Sequence, residues 1–342
     1  MIVTCDTNFY RKLVENVNVR DTRTLDKLIQ ALVNAERLRG ISAMMGTVSA
    51  CEVLSHLLDD VSSRDFKSCL KASRVLYKHC QDSPNSYRLL PSPQTQIAKE
   101  YFGFDNQVGI ETQLAVGQIF SALAKSTTLK TINRLAENLA KVKKHIAETE
   151  DVLIQGIIDY CKSIDPNYTE WNLFVGDRNN RKKYLTQIRS IAFDNTTALA
   201  MLVAVHQQIV MQGYDKVPTK EETTSMINTY VQSYKTSLEL RRFFWEQLLT
   251  PGFDLTKKSR ANFLWDEQIL HFVNHQVGNE EVTLITSDDK MVEAAKKCGC
   301  RDKVMRYDEY IDFLGVREQI ESIKKICFCK RMYYKLLGWF HL

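Results

Sequence analysis

Glycine and proline are scarce in this chain, 13 and 6 among 342 residues. That leaves little material for linkers and predicts helix-rich structure. No run of about 18 apolar residues occurs, which excludes a membrane span of that kind. An N-terminal leader is not expected either, because Asp6 and Arg11 interrupt the first residues before an apolar stretch can develop. The nine cysteines (5, 51, 69, 80, 161, 298, 300, 327 and 329) follow no framework spacing. An odd, scattered set predicts reduced thiols and a cytoplasmic protein. A strong charge imbalance is lacking too. The net charge of +5 is compatible with a polyanionic partner and too small to require one. What is present is the ordinary mixture of a globular protein, long enough for about two domains of ~100–200 residues.

The order of elements carries more information. Ile2 to Cys5 is a β-branched, apolar run that reads as a buried strand, followed directly by Asp6, Thr7 and Asn8. Helical patterns cover 9–16 and 24–38, and Gly40 stops the second. A strand over 41–48 and a helix over 49–59 follow, then a helix over 64–79, a short strand at 89–91 and a helix over 94–102. This alternation predicts a parallel α/β sheet. From about 105 to 260 the pattern is helical only, over 108–126, 129–163, 182–212 and 221–249, without repeats or low-complexity tracts. Thr219 and Glu222 form a capping-box signature at the start of the last of these. The α/β pattern then resumes. A helix over 262–274 carries Asp266 near its start, and the strand 282–286 runs into Ser287, Asp288 and Asp289. A helix over 291–298, an edge strand over 303–307 and a closing helix from 310 complete it.

Two strands therefore end in acids, Asp6 and Asp288, at one edge of a parallel sheet, where α/β proteins place their ligands. Glu52 follows the second strand and Asp266 precedes the strand 282–286, so all four can reach one pocket. Carboxylates that close repel each other, and a divalent cation is the common remedy. An all-oxygen donor set favours Mg²⁺ or Mn²⁺, and two such ions can activate water against a phosphodiester. Each acid alone also has a plain structural reading. Asp6 suits a turn, Glu52 a solvated helix face, Asp266 a helix N-terminus, and Asp288 a helix cap.

Together these residues resemble the PIN-domain nucleases. The carrying motifs are Asp6-Thr7-Asn8 after strand one and the run from Thr47 through Ser49 to Glu52. The helical Asp266-Glu267-Gln268-Ile269-Leu270 and the strand-end Thr286-Ser287-Asp288 complete the set. Leu270 stands where the family usually has alanine, Asp289 doubles the last acid, and a large insertion precedes Asp266. The resemblance covers 1–102 and 259–315. It implies a three-layer α/β/α PIN-like parallel sheet, which the residue pattern itself splits by an all-α insertion over 103–258 and follows with a basic amphipathic helix over 316–342. It further implies a Mg²⁺- or Mn²⁺-dependent endonuclease, most often an endoribonuclease, with Asp6, Glu52, Asp266 and Asp288 as catalytic metal ligands. Thr7, Asn8, Ser287 and Asp289 would then be supporting or phosphate contacts.

The remaining features are weaker. Arg178, Arg181, Lys182 and Lys183 form a basic loop suited to nucleic-acid phosphates, with Trp171 or Tyr184 for base stacking. The aromatic group at 243–245 suits a core. Cys298, Cys300, Cys327 and Cys329 lack the usual zinc spacing, and His271 and His275 lack the Glu of a zinc-protease motif. The insertion and the 316–342 helix offer surfaces for a homo-oligomer or a regulatory protein partner, although packing on the protein's own body is the commoner fate. A structure-specific DNA nuclease and a non-catalytic nucleic-acid or protein scaffold are the competing functions.

Overall fold

The computed structural model describes residues 1–325 apart from 20, 84–85, 274–275 and 278–279. Its strands are β1 (Ile2–Cys5), β2 (Ser42–Gly46), β3 (Gln81–Ser83), β4 (Ser86–Tyr87), β5 (Leu89–Leu90), β6 (Gln276–Val277), β7 (Glu280–Thr286) and β8 (Val304–Arg306). Helices α1 (Thr7–Leu13), α2 (Thr22–Leu38), α3 (Thr47–Ser55), α4 (Arg64–His79) and α5 (Pro93–Phe102) belong to the first part of the chain. Next come α6 (Gln107–Lys125), α7 (Leu129–Arg134), α8 (Ala136–Ile164), α9 (Arg178–Ile188), α10 (Ile191–Val210), α11 (Lys220–Ser233) and α12 (Lys235–Gln247). The last are α13 (Lys258–Leu270), α14 (Asp289–Lys297) and α15 (Tyr307–Leu314).

The main sheet runs β5-β2-β1-β7, and both β6 and β8 pair with β7. Among the described residues only β6 is antiparallel in it, so β1 is central in a mostly parallel sheet. Successive strand residues point to opposite faces. Val3, Cys5, Met45 and Ile285 enter a core shared with α1, α2, α4 and α15. Leu284 and Val304 enter a second core under α12, α13 and α14. Helices thus cover both faces, an α/β arrangement compatible with three layers. At 67% the helical share matches the scarcity of glycine and proline.

The regular structure of residues 103–258 is helical, apart from an isolated bridge between Thr169 and Asn172. Val116, Phe120, Ile132, Leu139 and Val142 pack α6, α7 and the start of α8 into the main core. The later part of α8 joins α9 and α12 in a separate cluster, and α10 and α11 pack on α5.

Several expectations need correction. The helix expected over 129–163 breaks at Leu135, and that over 182–212 is bent by 70° between α9 and α10. The one expected over 221–249 breaks at Tyr234. Neither Leu135 nor Tyr234 is a helix breaker. At Tyr234 the cause is tertiary, since its ring stacks on His271 with centroids 4.3 Å apart and its hydroxyl donates to Glu100 Oε2 at 2.6 Å. Asp266 lies in the second half of α13, not near a helix start, so a favourable N-terminal dipole does not account for it. The expected basic loop is the opening of α9, capped by Asp177, whose side chain accepts the Asn180 N–H at 2.9 Å. Tyr184 is buried there and offers no face for base stacking. The short β3–β4 hairpin and β6 were not expected. Phe244 is core, as its setting suggested. Residues 317–325 are helical, with Ile320 buried in the main core. Residues 326–342, with Cys327 and Cys329, lie outside the described residues, as does His275.

The core under α2 contains a polar network. Glu36 faces His79 Nε2 at 2.8 Å and accepts the Tyr310 hydroxyl at 2.6 Å, while Tyr10 Oη meets His79 Nδ1 at 2.9 Å. Four elements are thereby tied together, and a missing donor leaves a buried carboxylate under-satisfied. Tyr310→Phe should therefore cost about 1–3 kcal/mol. Urea unfolding would show this as a lower midpoint at unchanged slope, and an unchanged midpoint would rule the network out as a stabilising feature.

Candidate functional site

β1 ends at Cys5, and Asp6 is the first side chain beyond the sheet, its N–H still donating to Ile285 O at 3.1 Å. Asp6 is buried, so both oxygens need donors. Oδ1 accepts the Phe9 N–H at 2.6 Å and caps α1. Oδ2 accepts the hydroxyl of Thr286 at 2.5 Å. Thr286 closes β7, is fully buried, and in turn accepts the Asp288 N–H at 2.8 Å. One threonine therefore fixes both strand-end acids. Asp288 Oδ1 accepts the Lys290 N–H at 2.7 Å at the start of α14, leaving the other oxygen to the cavity. The capping reading of Asp288 is thus correct, and Asp6, read as a turn residue, caps α1 instead; both roles use only part of each carboxylate's acceptor capacity.

Glu52 reaches the same cavity from α3, where the Thr7 hydroxyl donates to its Oε2 at 2.6 Å. Asp266 arrives from α13. All four acids, with Thr7 and Asn8, line one cavity of about 700 Å³. Burial pushes Asp6 up to about 7 despite its Thr286 and Phe9 donors, with Glu52 and Asp288 adding repulsion. Asp266 is pushed well above the ordinary carboxylate range, first by burial and then by Asp288, Glu52 and Asp6. The four acids share one electrostatic field.

The other expected residues divide. Ser287 Oγ is buried and, among the described residues, has no hydrogen-bond partner. Asp289 is exposed, ion-paired to Arg306 at 3.1 Å, and absent from the cavity wall. Arg178, Arg181, Lys182 and Lys183 do not line the cavity. Cys298 and Cys300 are free thiols, pushed up by burial to about 11 and about 12.

Sequence reasoning missed the far wall. It is a stripe of α8 comprising Lys143, Ile146, Ala147, Glu150, Asp151, Ile154, Gln155 and Ile158. The three- and four-residue spacing is legible, but nothing in the chain says what the stripe faces. His56 and Asp59 were also missed. They bond each other at 2.7 Å, and Lys143 reaches Asp59 at 2.9 Å, tying α8 to the turn after α3. His56 lies one helical turn beyond Glu52, the signal that marks it as a neighbour.

Among the described residues no three His, Cys, Asp or Glu side chains stand close enough to share a metal ion. The donor set nonetheless fits a hard divalent cation in kind. It is all oxygen and mutually repelling. Closing the spacing requires a counter-charge.

No protein-family model, curated protein or solved structure matches this chain.

Asp6 has an ordinary value of 3.8 and a folded-state value of about 7, so folding takes up a proton between them. Its contribution to stability is greatest below pH ~4 and is lost as pH rises through ~7. In EDTA, Asp6→Asn should therefore gain melting temperature relative to the natural chain between about pH 5 and about pH 8. Added Mn²⁺ should raise the natural chain's melting temperature more than the variant's. A difference that stays flat with pH would show that Asp6 is not repelled in the folded state.

Proposed function

We propose that this chain is a metal-dependent endonuclease built on a PIN-like α/β domain, and that RNA is its favoured substrate. The observation that carries this reading is the convergence of Asp6, Glu52, Asp266 and Asp288, from four separate elements, on one cavity at the carboxyl edge of a mostly parallel sheet. The motifs that resemble the PIN-domain nucleases supply these same four acids. RNA is preferred to DNA on the resemblance alone. Among the described residues no single helix is long and apolar enough to cross a membrane.

The four carboxylates would hold Mg²⁺ or Mn²⁺. Such an ion, when bound, supplies Lewis-acid activation of water and neutralises charge on a phosphodiester. The chain's own residues fix the frame. Thr286 orients Asp6 while holding the backbone of Asp288, and Thr7 orients Glu52. The α8 stripe forms the far wall of the cavity. Asn8 lies beside the acids on the cavity wall as a neutral hydrogen-bonding group for a phosphate, whereas the buried Ser287 hydroxyl does not line the cavity. A non-catalytic scaffold is the second reading, favoured by the wide spacing of the acids.

Cleavage of end-labelled RNA and DNA, single-stranded and structured, in Mn²⁺ or Mg²⁺ decides between them. Asp6→Asn and Asp288→Asn should each lower the rate at least ~100-fold, and Thr7→Val and Thr286→Val about 10–100-fold, the range seen when partners of metal ligands are removed. EDTA should abolish cutting. Activity that survives both Asp substitutions would place the chemistry elsewhere, and no cutting under any condition would favour the scaffold. Preference for structured DNA would identify a structure-specific DNA nuclease.

A further inference from the structure

Asp266 and Asp288 line two clefts, not one. Beyond the large cavity they also border a groove of about 450 Å³ between α12, α13 and α14. The two differ in charge. The large cavity adds Asp59, Glu150 and Asp151 to the four acids, against Lys143 as its one Lys or Arg among the described residues. A polyanion approaching from that side meets repulsion along its whole path. The groove presents Arg260, Lys290 and Lys297 against Glu293, besides the two shared acids and Asp289, which Arg306 already pairs. None of the three groove cations makes an ion pair with a described carboxylate.

Two of these cations are also held in place. The Lys297 ammonium lies 4.8 Å over the ring of Phe243, and the Arg260 guanidinium 4.9 Å over that of Phe253. A ring face orients a cation without neutralising it, so less side-chain entropy is lost when an anion arrives. Lys290 begins the helix capped by Asp288, which places its charge beside the acids.

We propose that the groove between α12, α13 and α14 binds a single nucleic-acid strand, its phosphates held by Arg260, Lys290 and Lys297, and leads that strand to the acids. This rests on the nuclease reading for what happens at the acids, but the binding itself does not. Cations that track a backbone are how sequence-tolerant strand binding is achieved, and the groove supplies three of them, set among Asp266, Asp288 and Glu293. The groove also gives α12 a role, since Phe243 and Gln247 come from it.

The test is fluorescence anisotropy of the full chain with a fluorescein-labelled single-stranded RNA in EDTA, where no cutting competes. Each phosphate contact on a single strand contributes ~0.7 to the log–log salt slope. Arg260→Ala/Lys297→Ala should reduce the slope by about 1.4 and weaken binding roughly 25-fold at about 0.1 M salt. Arg178→Ala/Lys182→Ala on α9 should leave affinity unchanged, and circular dichroism would confirm that both variants fold. Full affinity in the groove variant, loss in the α9 variant instead, tighter binding of a matched duplex, or no binding by the natural chain would each overturn the proposal. Absence of cutting in Mn²⁺ with groove-dependent binding intact would defeat the nuclease reading and leave the groove standing.

Discussion

The hydrogen bond from Thr286 to Asp6 is the constraint on which the site depends. A carboxylate buried at the end of a central strand is expensive, and it is tolerated only where donors are already fixed. One donor comes from the first turn of α1 and the other from the last residue of β7. The same threonine oxygen accepts from the Asp288 backbone, so the register of β1 against β7 sets the relative position of two acids. Sliding that register by one residue would turn Thr286 to the other face of the sheet and leave Asp6 without its second donor. Sheet pairing and site geometry are one constraint here.

Much of this was legible in the sequence because it is local. Ile2–Cys5 and the strand ending at Thr286 are apolar runs terminated by acids, and strand ends in an α/β sheet share an edge by topology. The capping boundaries of α4, α5 and α11 follow from Ser63, Ser92 and Thr219 immediately before them. The failures share a cause as well. The break at Tyr234 has no local signal, because it is dictated by Glu100, more than a hundred residues away, and by the His271 ring. Asp266 was placed at the wrong end of its helix because α13 begins at Lys258 without a side-chain cap. Residues 178–183 looked like a loop because charge and amides hid the helix that Asp177 caps. Glu150 and Asp151 could not be assigned to the cavity, since a periodic stripe tells which residues share a face and not what that face meets.

The helical segment gains its relation to the site from this last point. α8 contributes to the main core through Leu139 and Val142 and to a separate cluster through Ile157 and Cys161. Between those anchors the same helix lays Glu150 and Asp151 along the cavity. The ties from Lys143 to Asp59 and from the Trp265 indole to Glu150 then fix its rotation. The result is a wall that concentrates negative potential on one side of the acids. The other side is bounded by α12 and α14, where cations rest on aromatic rings. On the proposed reading, a nucleic-acid strand carrying one charge per nucleotide would be drawn to the side that bears the cations.

A site of this kind lowers the stability of the sheet edge that holds it, because repulsion among Asp6, Glu52, Asp266 and Asp288 is relieved when the chain unfolds. The compensation lies elsewhere in the fold. Glu36, His79, Tyr10 and Tyr310 form a satisfied network that binds α1, α2, α4 and α15 into one block. Phe9 belongs to both regions, since its N–H donates to Asp6 Oδ1 while its ring packs against Tyr10 at 5.2 Å and Tyr307 at 5.2 Å. The donor that steadies the buried Asp6 is thus carried by a fully buried residue packed among aromatic rings of the core. An edge that stores repulsion needs such an anchor, because a carboxylate held only by mobile donors would swing to water and leave the cavity without its central charge.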